Sequence, residues 1–168
     1  LVRYVWRKLR RKAPMPLRRY HLLIHTLALL GLLCMVYGKF IEPYWPQVNT
    51  IRLETPKLQH TALRIVQISD LHCDVKPRLE NRLPKIINSL KPDIIVFTGD
   101  ALNTHHAIGL FQKTLAAMEA PLGKYAVRGN WDYQSGTKFF DNTGFTELPL
   151  KAVRLEKDGE AFMLCGIA

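Results

Sequence analysis

Leu63-Arg64-Ile65-Val66-Gln67-Ile68-Ser69-Asp70-Leu71-His72 decides the reading of this 168-residue chain. The first six residues alternate and are rich in β-branched side chains, which predicts a strand over 63–68. Two metal-type ligands, Asp70 and His72, follow its end. The arrangement returns twice. Ile94-Ile95-Val96-Phe97 is continuously apolar, as expected of a strand covered on both faces, and it runs into Thr98-Gly99-Asp100. A third predicted strand, 124–128, runs into Gly129-Asn130-Trp131-Asp132. Parallel strands gather their carboxyl ends on one edge of a sheet, where sites assemble. Asp, His and Asn brought together there form a mixed oxygen and nitrogen pocket suited to divalent transition metals. On an extended segment Asp70 and His72, two apart, point the same way.

Two helices fall between the strands. Leu79, Leu83, Ile86, Ile87 and Leu90 recur at helical spacing and predict a helix over 78–90 that starts late or kinks at Pro84. Leu110, Phe111, Leu115 and Met118 predict another over 107–119. Strand, helix, strand, helix, strand implies an α/β fold whose parallel sheet has right-handed crossovers. Ile51-Arg52-Leu53 reads as a short extra strand. Val153–Leu155 and Ala161–Ile167 flank Lys157-Asp158-Gly159-Glu160 and read as a hairpin.

The formal charge of +10 is unevenly placed. Nine of the 24 basic residues precede Glu42, the first acid; the 15 that follow nearly balance 14 acids. A nucleic-acid protein would carry a basic face on its globular part, so nucleic acid is not an expected partner. Residues 20–38 hold no Lys, Arg, Asp or Glu, and as helix they reach roughly 28 Å, close to the hydrocarbon thickness of a bilayer. Tyr37, Phe40, Tyr44 and Trp45 stand where an interfacial aromatic belt would lie. A cleaved signal peptide is disfavoured because no A-x-A site follows the apolar run. The division expected is a basic segment 1–19, a transmembrane or interfacial helix 20–38, a linker 39–48 with Pro43 and Pro46, and a domain over 49–168. Residues 1–12 put Leu1, Val5 and Leu9 on one helical face, with Val2 and Trp6 beside it. Two readings fit: a basic amphipathic helix on an anionic membrane, or a solvated basic tail. Cys34, Cys73 and Cys165 have no disulfide-framework spacing. Cys165 reads as a packing residue and Cys73 as a small loop residue, with metal contact as the alternative.

D-x-H, then G-D, then G-N-x-D, in order and each after a strand, resembles the calcineurin-like metallophosphoesterases over about residues 49–168. The match is to their bacterial, membrane-associated branch, in which the chain is also similar to the chlamydial-type UDP-2,3-diacylglucosamine pyrophosphatases of lipid A synthesis. The resemblance implies part of an αββα sandwich after an N-terminal membrane helix, with the hairpin starting the second sheet. It implies two divalent cations, Mn²⁺ or alternatively Fe²⁺ or Zn²⁺. Asp70 and His72 would bind the first, Asp100 would bridge both, and Asn130 would bind the second; Asp100 and Asn130 are thereby the catalytic pair. Asn103 and Asp132 would orient these ligands. The implied reaction is hydrolysis of a phosphodiester or pyrophosphate, lipid-linked or nucleotide-linked, at a bacterial inner membrane.

Two departures qualify the match. Where the family has His after G-N, this chain has Trp131, a substrate-side residue that cannot act as a general acid. A nucleotide phosphate, which departs without a proton, fits that loss. The family's later His and its G-H-x-H segment have no counterpart in the 36 residues after Asp132. His105-His106 read as loop or helix-start residues instead. The expectation is a piece of a longer protein, inactive by itself. A non-catalytic membrane scaffold on a degenerate phosphoesterase domain is the alternative. Sidedness stays open: the basic residues before the span favour a cytoplasmic N-terminus and an external domain, whereas the lipid A resemblance places the domain on the cytoplasmic face.

Overall fold

The computed structural model describes residues 2–9, 19–132 and 139–167. The chain divides into two compact units, residues 1–47 and 48–168.

The first unit holds α1 (Val2–Leu9), α2 (Arg19–Phe40) and a 3-10 turn, Glu42–Tyr44. Within α1, Val2, Val5 and Trp6 are exposed. The rest of the predicted basic segment, Leu1 and 10–18, lies outside the described residues. α2 spans 22 residues, about 33 Å at 1.5 Å per residue. Leu22, Leu23, Ile24, Leu27, Leu30 and Leu33 on it are all more than half exposed. Among the described residues it is the one helix long and apolar enough to cross a membrane.

The second unit is built on four parallel strands in sequence order: β1 (Ile65–Ile68), β2 (Ile94–Phe97), β3 (Lys124–Ala126) and β4 (Phe145–Glu147). β2 is central, with Ile94, Ile95 and Phe97 fully buried, as its unbroken apolar run predicts. α3 (Leu83–Ser89) and α4 (Ile108–Ala116) supply Leu83, Ile87, Phe111 and Leu115 to a core shared with Ile68, Ile95, Phe97, Ala126 and Phe145. The rings of Phe97 and Phe111 meet edge-on at 5.4 Å, and Phe139 and Phe140 extend the cluster. A half-buried polar anchor assists: the Lys124 ammonium donates to the carbonyls of Leu115, Met118 and Thr143, closing the end of α4.

α3 starts late, at Leu83, the first of the two outcomes expected from Pro84, which lacks the N–H that an earlier turn would need and fits the first helical turn. Several other expectations need correction. α4 ends at Ala116. Strands one and three are shorter than predicted, at four and three residues. Ile51-Arg52-Leu53 is not a strand; Ile51 and Leu53 are exposed and unpaired in the sheet. β4 was not anticipated.

β5 (Ala152–Lys157) and β6 (Glu160–Cys165) pair antiparallel as the expected hairpin. Cys165 stands on its exposed face rather than in packing. The hairpin turn grips the chain just before β1. Glu160 accepts the backbone N–H groups of Gln59, His60 and Thr61, and Lys157 bridges Asp93 at 2.8 Å and the Ala62 carbonyl at 2.7 Å. The N–H groups of Gln59 and its neighbours hold the Glu160 carboxyl below its ordinary value. Burial alone would raise the Asp93 carboxyl, but the Lys157 and Arg64 contacts lower it on balance. Folded values below unfolded ones mean a stabilisation that is complete above the ordinary carboxylate range and lost as pH falls through the folded values. Acidification below about pH 4 should therefore release the hairpin turn. Amide exchange at Gln59–Thr61 should rise there before exchange in β2, and Glu160→Gln should bring the same opening at neutral pH; protection that persists in that variant would show that the turn does not hold this segment.

Candidate metal centre

The loops after β1 and β2 run side by side and zip together. Asp70 N–H donates to the Gly99 carbonyl, His72 N–H to Asp100, Cys73 N–H to Ala101, and Asn103 N–H back to Cys73, all at 2.8–3.0 Å. Cys73 and Leu102 form a parallel bridge. This pairing extends the sheet edge by one irregular rung and sets the ligand-type side chains against each other.

Asp70, His72 and Asp100 are the three brought together: one ligand atom from each lies within 4.8 Å of the others. His72 Nε2 stands 4.0 Å from Asp70 Oδ1 and 4.0 Å from Asp100 Oδ2. Their convergence does not come from an extended segment, as expected from spacing. All three have left-handed backbones, with φ of 54°, 42° and 59°. Non-glycine residues adopt that region at a cost and cluster there at functional sites. Two carboxylates facing one imidazole, on strained backbone and partly open to solvent, fit a divalent cation: the donor set is hard oxygen plus imidazole nitrogen.

Two glycines make the site possible. Gly99 has φ +104°, and a Cβ there would stand 2.1 Å from the Gly129 nitrogen. A Cβ on Gly129 would stand 2.1 Å from Asp100 Oδ1 and 2.7 Å from its backbone nitrogen. Close backbone approach is therefore the reason for glycine at 129. The third loop packs on the second. Asp132, 1% exposed, takes the N–H groups of Asp100, Ala101 and Gly129, each at 2.9 Å. Trp131 donates its backbone N–H to Asp100 Oδ1 at 3.1 Å, and its ring, about half exposed, stands edge-on to His72 at 6.3 Å. Asn130 lies between these residues, exposed.

The Asn103 side-chain oxygen stands 3.0 Å from His72 Nδ1 as an acceptor, and its amide nitrogen donates to Asp74 Oδ2 at 3.2 Å. Arg78 pairs with that same Asp74 oxygen at 3.2 Å and donates to the His72 carbonyl at 2.7 Å. Sequence reasoning missed Asp74 and Arg78; their i, i+4 spacing was the one available sign. Cys73 is fully buried, and burial, reinforced by Glu80, pushes its thiol up to about 12. It is a neutral thiol packed in the core. His105 and His106 sit exposed in the 3-10 turn that opens α4.

Comparison with known proteins agrees with this geometry. Residues 63–165 match the family model for the calcineurin-like phosphoesterases. An uncharacterized metallophosphoesterase of Aquifex aeolicus is 33% identical over 124 residues, 68% of this chain and 47% of that protein. The UDP-2,3-diacylglucosamine pyrophosphatase LpxG of Chlamydia trachomatis is 36% identical over 117 residues, 64% of this chain and 35% of that one. A transmembrane protein with metallophosphoesterase domain from Danio rerio is 29% identical over 119 residues, 67% of this chain and 26% of its own length. The chain thus spans at most about half the length of these relatives. No solved structure matches. A family match across residues 63–165, carried by the strands and loops that assemble the carboxylate–imidazole cluster, means that this chain belongs to the calcineurin-like phosphoesterases, a family of metal-dependent phosphoester hydrolases.

Proposed function

We propose that this chain is the membrane-anchored part of a two-metal phosphoesterase acting on a phosphodiester or pyrophosphate that is lipid-linked or nucleotide-linked, as UDP-2,3-diacylglucosamine is. The observation that carries the reading is the convergence of Asp70, His72 and Asp100 on left-handed backbone at the carboxyl edge of a parallel sheet. Asp70 and His72 would hold one cation, Asp100 would contact both, and Asn130 would hold the second. A divalent pair, when bound, supplies Lewis acidity to the phosphoryl group and to water. Asp132 fixes Asp100 by its backbone, and Asn103 fixes the His72 ring. Trp131 offers an apolar wall beside the site and no transferable proton, which favours a leaving group that departs as a stable anion, such as a nucleotide phosphate. The similarity to LpxG supports that substrate class.

The longer protein of which this chain is proposed to be part should bind two Mn²⁺ ions in titration calorimetry in detergent, the 168-residue chain alone only weakly, and Asp100→Ala should abolish binding of both ions, because Asp100 alone would contact both. Retention of either ion at wild-type affinity in that variant would rule out the bridge. No Mn²⁺, Fe²⁺ or Zn²⁺ binding by the longer protein would instead favour the non-catalytic scaffold.

Residues 20–38 serve as the membrane segment, 1–19 as a basic flank, 39–48 as the linker and 49–168 as the phosphoesterase portion. Val2, Val5 and Trp6 of α1, with basic neighbours, suit the surface of an anionic leaflet such as that of a bacterial inner membrane. Alkaline carbonate should leave the chain in the pelleted membranes and release one lacking residues 1–40. Release of the intact chain would show that α2 is no firm anchor.

A further inference from the structure

We propose that Asp74 is a positioning residue that sets the tautomer of His72, acting through Asn103; the inference rests on the metal-site reading above for its consequence, but not for its geometry. The argument starts at the imidazole. His72 Nδ1 stands 3.0 Å from Asn103 Oδ1. An amide oxygen only accepts, so Nδ1 must carry the hydrogen. That leaves the lone pair on Nε2, the nitrogen that faces Asp70 and Asp100 at 4.0 Å each. The result depends on which way round the Asn103 amide stands, and an amide can turn over with little change in shape. Turned over, its NH₂ would face Nδ1 and select the opposite tautomer, with the hydrogen on Nε2.

Asp74 decides between the two. Its Oδ2 lies 3.2 Å from Asn103 Nδ2. A carboxylate accepts only, so it holds the NH₂ and would repel the amide oxygen. The chain of contacts closes on itself: the Arg78 guanidinium nitrogen that pairs with Asp74 Oδ2 also donates to the His72 carbonyl, and Asn103 N–H donates to the Cys73 carbonyl. Asp74 and Asn103 are thereby held at fixed distance from the ring they govern. Arg78 places the carboxylate but does not select the tautomer, since it touches neither the Asn103 amide nor the ring in this arrangement. The Asp74–Arg78 pair is partly exposed, 45% and 30% by side chain, and such pairs contribute little stability. The effect of losing Asp74 should therefore appear in the ring and not in the fold.

The test uses the full chain, labelled with ¹⁵N at histidine, metal-free in detergent micelles and above the pH at which imidazole titrates. His72 is assigned by its loss in His72→Gln. Its nitrogen shifts should show hydrogen on Nδ1. Asp74→Ala and Asn103→Ala should move it toward the Nε2–H form that free imidazole prefers, while Arg78→Met should leave it unchanged. Asp74→Asn, whose amide can donate as well as accept, should give a mixture and serves if the alanine variant does not fold. Zn²⁺ affinity should fall roughly tenfold in Asp74→Ala, the low end for a residue that orients a histidine ligand. An Asp74→Ala ring with native shifts, or a native ring protonated at Nε2, would overturn the proposal. Expected tautomers in a chain that binds no Zn²⁺ would instead refute the metal-site reading and leave the positioning role standing.

Discussion

Gly99→Ala should destabilise the phosphoesterase portion by more than about 4 kcal/mol, the range reserved for severe single substitutions, and should abolish metal binding. Two penalties coincide. The backbone at Gly99 has φ +104°, a region closed to residues bearing a Cβ. The added carbon would also stand 2.1 Å from the Gly129 nitrogen and 2.4 Å from its Cα, so backbone and not a pliable side chain would have to move. The loops that carry Asp100 and Asn130 would separate. Gly129→Ala divides the effect differently. Its Cβ would strike the Asp100 carboxylate at 2.1 Å, which can rotate away, and would stand 2.7 Å from the Asp100 backbone nitrogen, which cannot, so metal binding should be lost together with stability, though without the added penalty of a positive φ. Gly109 is the control: it lies in α4 with nothing within 4 Å of an added Cβ, and Gly109→Ala should be neutral or gain up to about 1 kcal/mol. Denaturant unfolding of the three variants, with Zn²⁺ titration, separates these outcomes. A Gly99→Ala protein within about 1 kcal/mol of the parent would show that the two loops are not in backbone contact.

The parts of this fold that were legible in the sequence are those where local pattern and tertiary role agree. Ile94–Phe97 is apolar throughout because it lies buried at the centre of the sheet, and the Asp, His and Gly residues after each strand stand out because no strand or helix wants them. β4 was hidden: Phe145–Glu147 is too short to show a period, and it exists by pairing with β3, 21 residues earlier in the register. The opposite error at Ile51–Leu53 has the same cause, since alternation without a neighbouring strand makes no sheet. The left-handed turns at Asp70, His72 and Asp100 were also unreadable. Asp tolerates that region, but here the backbone bonds between the two loops impose it, and such bonds leave no trace in side-chain identity. Asp74 and Glu160 belong to the same class. Each acts on a segment distant in sequence or through an intermediary, as Glu160 does on Gln59–Thr61.

Asp132 and its neighbour Trp131 should respond to alanine in opposite ways. Trp131 is half exposed and its contact with Asp100 is made by backbone N–H, which alanine keeps, so stability should change by no more than about 0.5 kcal/mol. Asp132 is sealed from solvent, and its two oxygens are shared among three backbone donors: Oδ1 takes Ala101, while Oδ2 takes Asp100 and Gly129. Alanine would strand all three N–H groups where water cannot replace the acceptor. Each stranded donor costs about 1–3 kcal/mol, and because they share one acceptor the losses will not add fully; about 3–5 kcal/mol in all is expected. Asp132→Asn retains one oxygen but turns an NH₂ toward a backbone N–H, so it should fall between alanine and the parent. The damage should also reach the metal. Asp100 is positioned through its own N–H on Asp132, and that N–H belongs to the residue assigned as the bridge, so Zn²⁺ affinity should fall with stability in the Asp132 series. Trp131→Ala should leave it nearly unchanged. Denaturant unfolding and Zn²⁺ titration across Asp132→Ala, Asp132→Asn and Trp131→Ala measure both quantities. A stable Asp132→Ala protein that binds Zn²⁺ as tightly as the parent would mean that the third loop does not hold Asp100 in place.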